Sequence, residues 1–192
     1  MKAFLQPLLS GAVFTLTSAT APVVATETAP VPIFSAEEIA WSKGYGPNII
    51  DGIAALSGPD DTATCAGEQV VLRPASALEK HRNQIIFGSV DGARIPASRY
   101  MNPPGASAET MPTPPKDYDA AARNATCSID GKFLFTGLPD GEYYAATMLF
   151  PRAYLGKVVP IEKIEVIMKR VSVAGGATVQ VDLFSANGGP AR

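Results

Sequence analysis

The chain has 192 residues, an apolar fraction of 46% and a formal net charge of −2. That length suits one ordinary domain behind a short lead-in, and a near-neutral balance with no basic block argues against a nucleic-acid partner. With one histidine, His81, and two cysteines, neither a metal centre nor a histidine-based triad is easily assembled, and no cofactor is expected.

Residues 1–25, MKAFLQPLLSGAVFTLTSATAPVVA, have the three parts of a secretory leader. Lys2 supplies the positive start, an apolar stretch runs through Leu16, and small residues precede a cut after Ala25. Ala19-Thr20-Ala21 offers a second cut that would leave Pro22 first. Pro7, Gly11 and several Ser and Thr break the run, which falls short of the ~20 apolar residues of a spanning helix. A secreted or periplasmic chain with no membrane span after cleavage is the expectation.

Export makes the cysteines informative. Cys65 and Cys127 allow a single intrachain pairing in a compartment where disulfides persist. Closing a loop of about 60 residues is worth ~4 kcal/mol on the chain-entropy argument.

Residues 26–48 read as a lead-in. TETAPVPIF is proline-rich and extended. Ser35 with Glu38 forms a capping box, and Phe34 staples onto Ile39, so one short helix is expected at about 36–43 before Gly44 and Gly46. Trp41 on it is expected to dock the helix onto the domain.

Residues 49–185 read as β. NIIDGIAAL, EQVVLRP, NQIIFGSV, KFLFTG, EYYAATMLF, EKIEVIMKRVSV and ATVQVDLF are short, rich in apolar residues and bounded by turn residues. Seven such strands without a βαβ rhythm point to an all-β, antiparallel Greek-key sandwich. LEKHRNQ, with His81, reads as a solvated link. In the penultimate strand the apolar parity changes between Met168 and Val171, which predicts a bulge near Lys169-Arg170. Residues 91–125 hold five prolines beyond Pro96 and no apolar period. They read as a long Pro-rich loop, either a binding loop or a loose insertion. Asn124-Ala125-Thr126 would accept a glycan only in a eukaryotic secretory pathway. Residues 186–192 read as a flexible tail.

In GKFLFTGLPDGEYYAATM, Pro139 fixes one backbone angle and Gly141 permits a positive one, as a turn requires. Nothing here pairs a nucleophile with a base, so the segment reads as a corner between strands.

That run, with Asp130, Gly131, Phe133, Phe135, Gly137, Leu138, Pro139, Gly141 and Tyr143, resembles the carboxypeptidase regulatory-like domain family of transthyretin-like (prealbumin-like) sandwiches. The resemblance extends to Gly52, to Cys65-Ala66-Gly67 with Val70, Leu72 and Pro74, and to Gly-Gly-x-x-Val-x-Val-x-Leu at 175–183. It covers about 49–184 apart from the insertion. It implies a binding or spacer module, accessory to enzymes, receptors or surface proteins. Related sandwiches include starch-binding modules, which brings in carbohydrate by analogy. Two neighbouring families fit less well. Transthyretin-like hydrolases use several histidines and a Tyr-Arg-Gly-Ser that this chain lacks. Collagen-adhesin repeats carry a Lys and a Glu where Arg73 and Thr147 stand.

The expectation is therefore an exported, non-catalytic binding or accessory module of the cell envelope with a protein or glycan partner. Tyr144 and Tyr154 are the candidate ligand face, with Tyr100, Tyr118 and Tyr143 as further aromatics. A small hydrolase with His81 beside a carboxylate and a Ser under the 91–125 loop, and a purely structural spacer, are the alternatives.

Overall fold

The computed structural model describes residues 30–57, 62–111 and 113–184. The expected leader and tail lie outside them. Among the described residues no helix is long and apolar enough to cross a membrane.

Strands dominate. β1 (Asn48–Ile53), β7 (Lys132–Leu138) and β10 (Thr178–Asp182) form a small sheet in the order β10-β1-β7. β1 is antiparallel to β7 but parallel to β10, a departure from the all-antiparallel expectation. The larger sheet is organised on the eleven-residue β8 (Gly141–Pro151). β9 (Glu165–Val173) runs along one side of it, and β4 (Gln69–Pro74) with β3 (Thr62–Thr64) along the other. β5 (Gly92–Pro96) borders β9, β6 (Arg123–Thr126) borders β4, and β2 (Ala55–Ser57) borders β3, all antiparallel.

The two sheets share one core. Ile50, Phe133, Phe135, Leu138 and Val181 of the small sheet meet Val70, Leu72, Tyr143, Ala145, Leu149, Ile167 and Val171 of the larger one. The alternation expected in KFLFTG is present, with Phe133 and Phe135 inward and Leu134 exposed. Gly52 lies against the Phe133 ring, where any Cβ would overlap it. Cys65 and Cys127 are disulfide-bonded inside this core, with Cα atoms 5.8 Å apart. The lead-in keeps its capping bond, Ser35 Oγ accepting from Glu38 N, but the helix is only a 3₁₀ turn over Ala40–Lys43.

Three expectations are corrected. NQIIFGSV is not a strand, and LEKHRNQ is not a link. LEKHRNQ and the NQIIF of the next segment belong to α1 (Ala77–Phe87), which starts at Ser76, whose Oγ accepts from Glu79 N, and ends at Gly88 with φ 74°. Leu78, Glu79, Asn83, Ile86 and Phe87 are its buried face, a helical rather than a strand period.

Nor is there a bulge near Lys169-Arg170, because the β8–β9 register is continuous from Gly141↔Val173 to Leu149↔Glu165. The parity changes because β9 is covered on both faces. Val166 and Met168 pack under the helices, while Ile167, Val171 and Val173 face the sandwich core. Finally, residues 91–125 are not one loop. They contain β5, α2 (Ala97–Met101), α3 (Lys116–Ala120) and most of β6.

The Gly-Leu-Pro-Asp-Gly stretch is a corner. It is tied down by Asn48, which is completely buried. Asn48 Nδ2 donates to the Leu138 carbonyl at 2.9 Å and to Asp140 Oδ1 at 2.8 Å. Its Oδ1 accepts from the Gly176 and Ala177 amides at 2.8 and 3.0 Å. Asp140 Oδ1 also accepts from Gly175 N, so this carboxylate serves the turn. Arg123 adds a second clamp, donating to the carbonyls of Gly137, Ser42 and Gly44. Trp41 docks as expected, its ring edge-on to Tyr143 at 5.2 Å and resting on Gly141.

Removing the buried Asn48 amide deprives the buried Leu138 carbonyl of a partner, at roughly 1–3 kcal/mol, whereas Asp140, Gly176 and Ala177 are exposed and can turn to water. Asn48→Ala is therefore expected to lower stability by about 1–3 kcal/mol, measured by urea unfolding of the oxidised protein. A loss of only a few tenths would mean that the corner does not depend on this side chain. Gly141→Ala puts a methyl group where the Trp41 ring lies. Because Trp41 is the only tryptophan, its fluorescence emission should shift to the red as the ring is displaced. An unchanged spectrum would show that the ring does not rest there.

Candidate functional site

The aromatic pair proposed from sequence does not form a face. Tyr144 is 2% exposed. It does sit on the outer side of β8, but α1 covers that side, and the ring packs with Ile86, Phe87 and Met168. Its hydroxyl donates to the Val90 carbonyl at 2.8 Å, and burial pushes its pKa up to about 12. Tyr154 is half-buried on a 3₁₀ turn beyond the end of β8. His81 Nε2 bonds the Thr110 carbonyl at 2.7 Å. Among the described residues no other hydrogen bond links it to a carboxylate or a serine.

What the fold leaves open lies beside the helices. α1 and α2 cover only part of the larger sheet's outer face. Where they stop, a groove of about 230 Å³ remains, lined by Glu68, Gln69, Val71, Arg73, Tyr100, Ala146, Thr147, Met148 and Val166. Strand alternation builds it. Gln69, Val71 and Arg73 share one parity on β4, and Ala146 and Met148 take the matching parity on β8. Asn124 stands opposite Val71 and Thr126 opposite Gln69, so β6 extends the face with polar groups. Gln69 Nε2 donates to Thr126 Oγ1 at 3.0 Å. Tyr100 forms a wall from α2, leaning on Phe87 with ring centroids 5.9 Å apart.

Arg73 closes one end. Its guanidinium lies over the Tyr118 ring at 5.1 Å and pairs with Asp119 at 3.0 Å, both residues of α3. Tyr118 is itself buried, edge-on to Phe34 and hydrogen-bonded to Glu79 Oε2. The Arg82 guanidinium sits 5.7 Å from the same ring. Burial raises the Glu79 pKa above its ordinary value of 4.5, and Arg73 and Arg82 oppose that shift without reversing it.

A second hollow, of about 280 Å³, lies at the β5–β9 edge against Leu183 and Phe184. Its charged groups serve the fold. Arg94 pairs with Glu165 and stacks on Phe184, and Lys169 Nζ donates to the Asp182 carbonyl at 2.8 Å. Burial lowers the Lys169 pKa.

No family model matches the chain, and neither does any curated protein sequence. Among solved structures, a similar one matches over 80% of this chain and 98% of its own length, with a TM-score of 0.58 and 22% identity. It is a Pseudomonas aeruginosa protein named as a "putative carbohydrate binding protein". The likeness is one of fold.

In the sequence Tyr100 and Tyr118 stand out only as available aromatics, and Arg73 only as the residue in place of a collagen-adhesin lysine. The alternation of Gln69, Val71 and Arg73 was the signal that places Arg73 on an outer face. Nothing in the sequence marked that face as partly open.

Because Glu79 holds its proton to higher pH folded than unfolded, its contribution to stability is fully present below pH 4.5. It is lost as pH rises through the raised folded value. Glu79→Gln should therefore gain on the wild type as pH rises from 4 to 8, read by denaturant midpoints across that range. A difference independent of pH would mean that Glu79 titrates normally.

Proposed function

We propose that this protein is an exported, non-catalytic binding module of the cell envelope, and that the groove beneath Tyr100 takes a saccharide. The observation that carries the reading is the lining of that groove. Val71, Ala146, Met148 and Val166 give it an apolar floor, Tyr100 an aromatic wall, and Glu68, Gln69 and Arg73 a polar rim. A pyranose has matching chemistry: C–H faces that stack on a ring, and hydroxyls that need directed partners. The structural neighbour's name supports the same class of ligand. The leader-like residues 1–25 and the disulfide support export.

The groove is also what a spacer reading leaves without a role. No observation favours the hydrolase, since His81 is engaged with a backbone carbonyl.

Residues 26–192, with the disulfide intact, should show saturable binding to at least one glycan on an array that includes peptidoglycan fragments. Tyr100→Ala should weaken it about tenfold, the scale of one aromatic contact and its buried area. Absence of glycan binding by the wild type would overturn the reading. Binding unaffected by Tyr100→Ala would move the site out of the groove.

A further inference from the structure

On the reading of the groove as a saccharide site, we propose that Arg73 makes it selective for acidic saccharides. A ligand carboxylate would replace Asp119 on the guanidinium. The inference starts from the placement of Arg73, which lines the end of the groove on the outer face of β4 and is held there by a ring rather than by a strong ion pair. Tyr118 lies against the guanidinium, and Tyr118 is immobilised by Phe34 and by the buried carboxyl of Glu79. An arginine fixed in this way presents a planar fork whose ordering cost is already met, the geometry that suits a carboxylate.

The part of the fork that a ligand can reach is held weakly. Arg73 Nε is buried and closed to a ligand, but Nη2 is paired with Asp119, whose side chain is 74% exposed. An ion pair so exposed contributes little and exchanges readily. Asp119 shows that a carboxylate reaches this guanidinium, and its weak hold shows that another can take its place. The far end of the groove carries Glu68, which repels an acidic group there. The two charges therefore give the groove a direction, with the acid at the Arg73 end.

The test compares two probes on the same sugar backbone, a galacturonic acid trisaccharide and its full methyl ester, in which each charge is replaced by a neutral ester, titrated by calorimetry at low ionic strength. The acid should bind the wild type about tenfold more tightly than the ester. Arg73→Gln should abolish that preference. Asp119→Asn, a change at an exposed position, should enlarge it severalfold by removing the competing carboxylate, an effect that a merely structural Arg73 would not produce. Equal affinities in the wild type, a preference that survives Arg73→Gln, or one that Asp119→Asn leaves unchanged would each overturn the inference. A groove that binds neutral glycans but not the uronate would overturn it while leaving the saccharide reading intact. If no saccharide binds, both fall.

Discussion

The arrangement of the two sheets depends on one amide. Asn48 has two donor hydrogens and two acceptor lone pairs, and all four are used, on three separate segments: the end of β7, the turn into β8 and the turn into β10. Asn48 is itself completely buried, so its amide needs all four partners, and meeting them brings the three segments together in one way. The parallel pairing of β1 with β10 follows, because the amides of Gly176 and Ala177 are held at the start of both strands. The corner is fixed from the same point, and Trp41, Arg123 and the lead-in close over it.

With the core secured between the sheets, the larger sheet is left with an apolar outer face. Tyr144, Ala146, Met148, Val166 and Met168 all point that way, and a bare face of this kind is costly in water. α1 and α2 cover part of it. The cover is shorter than the sheet, and the uncovered remainder is the groove. The candidate site is thus a consequence of how far the helical layer extends, and its floor is sheet residues that in a fully covered version would be core.

The same layer explains where sequence reading succeeded and failed. β7, β8 and β10 are legible because each carries a plainly apolar face, as in Val179 and Val181 of β10, with Leu183 just beyond it. The disulfide was legible because two cysteines pair in one way. α1 was not, since Ile85-Ile86-Phe87 in isolation fits a buried strand as well as a helix. Ser76-x-x-Glu79 and Gly88 are the start and stop signals that mark it as a helix. That single miss propagated. Without α1, Tyr144 on the outer face of β8 reads as a candidate ligand-face residue. The parity change in β9 then needed a bulge, although a strand covered on both sides needs none.

The insertion shows why a site can be illegible even when its residues are visible. Tyr100 and Tyr118 come from residues 91–125, where proline density and the lack of a period hide two short helices. Their roles depend on what they lean against: Phe87 for Tyr100, and Glu79 with two arginines for Tyr118. None of these partners is near them in sequence. Arg73 joins the two parts, since it lines the groove and also stacks on the ring that holds α3 against α1. A group that displaced Asp119 from Arg73 would take one contact away from α3, and by thermodynamic reciprocity any such coupling would act equally in the other direction.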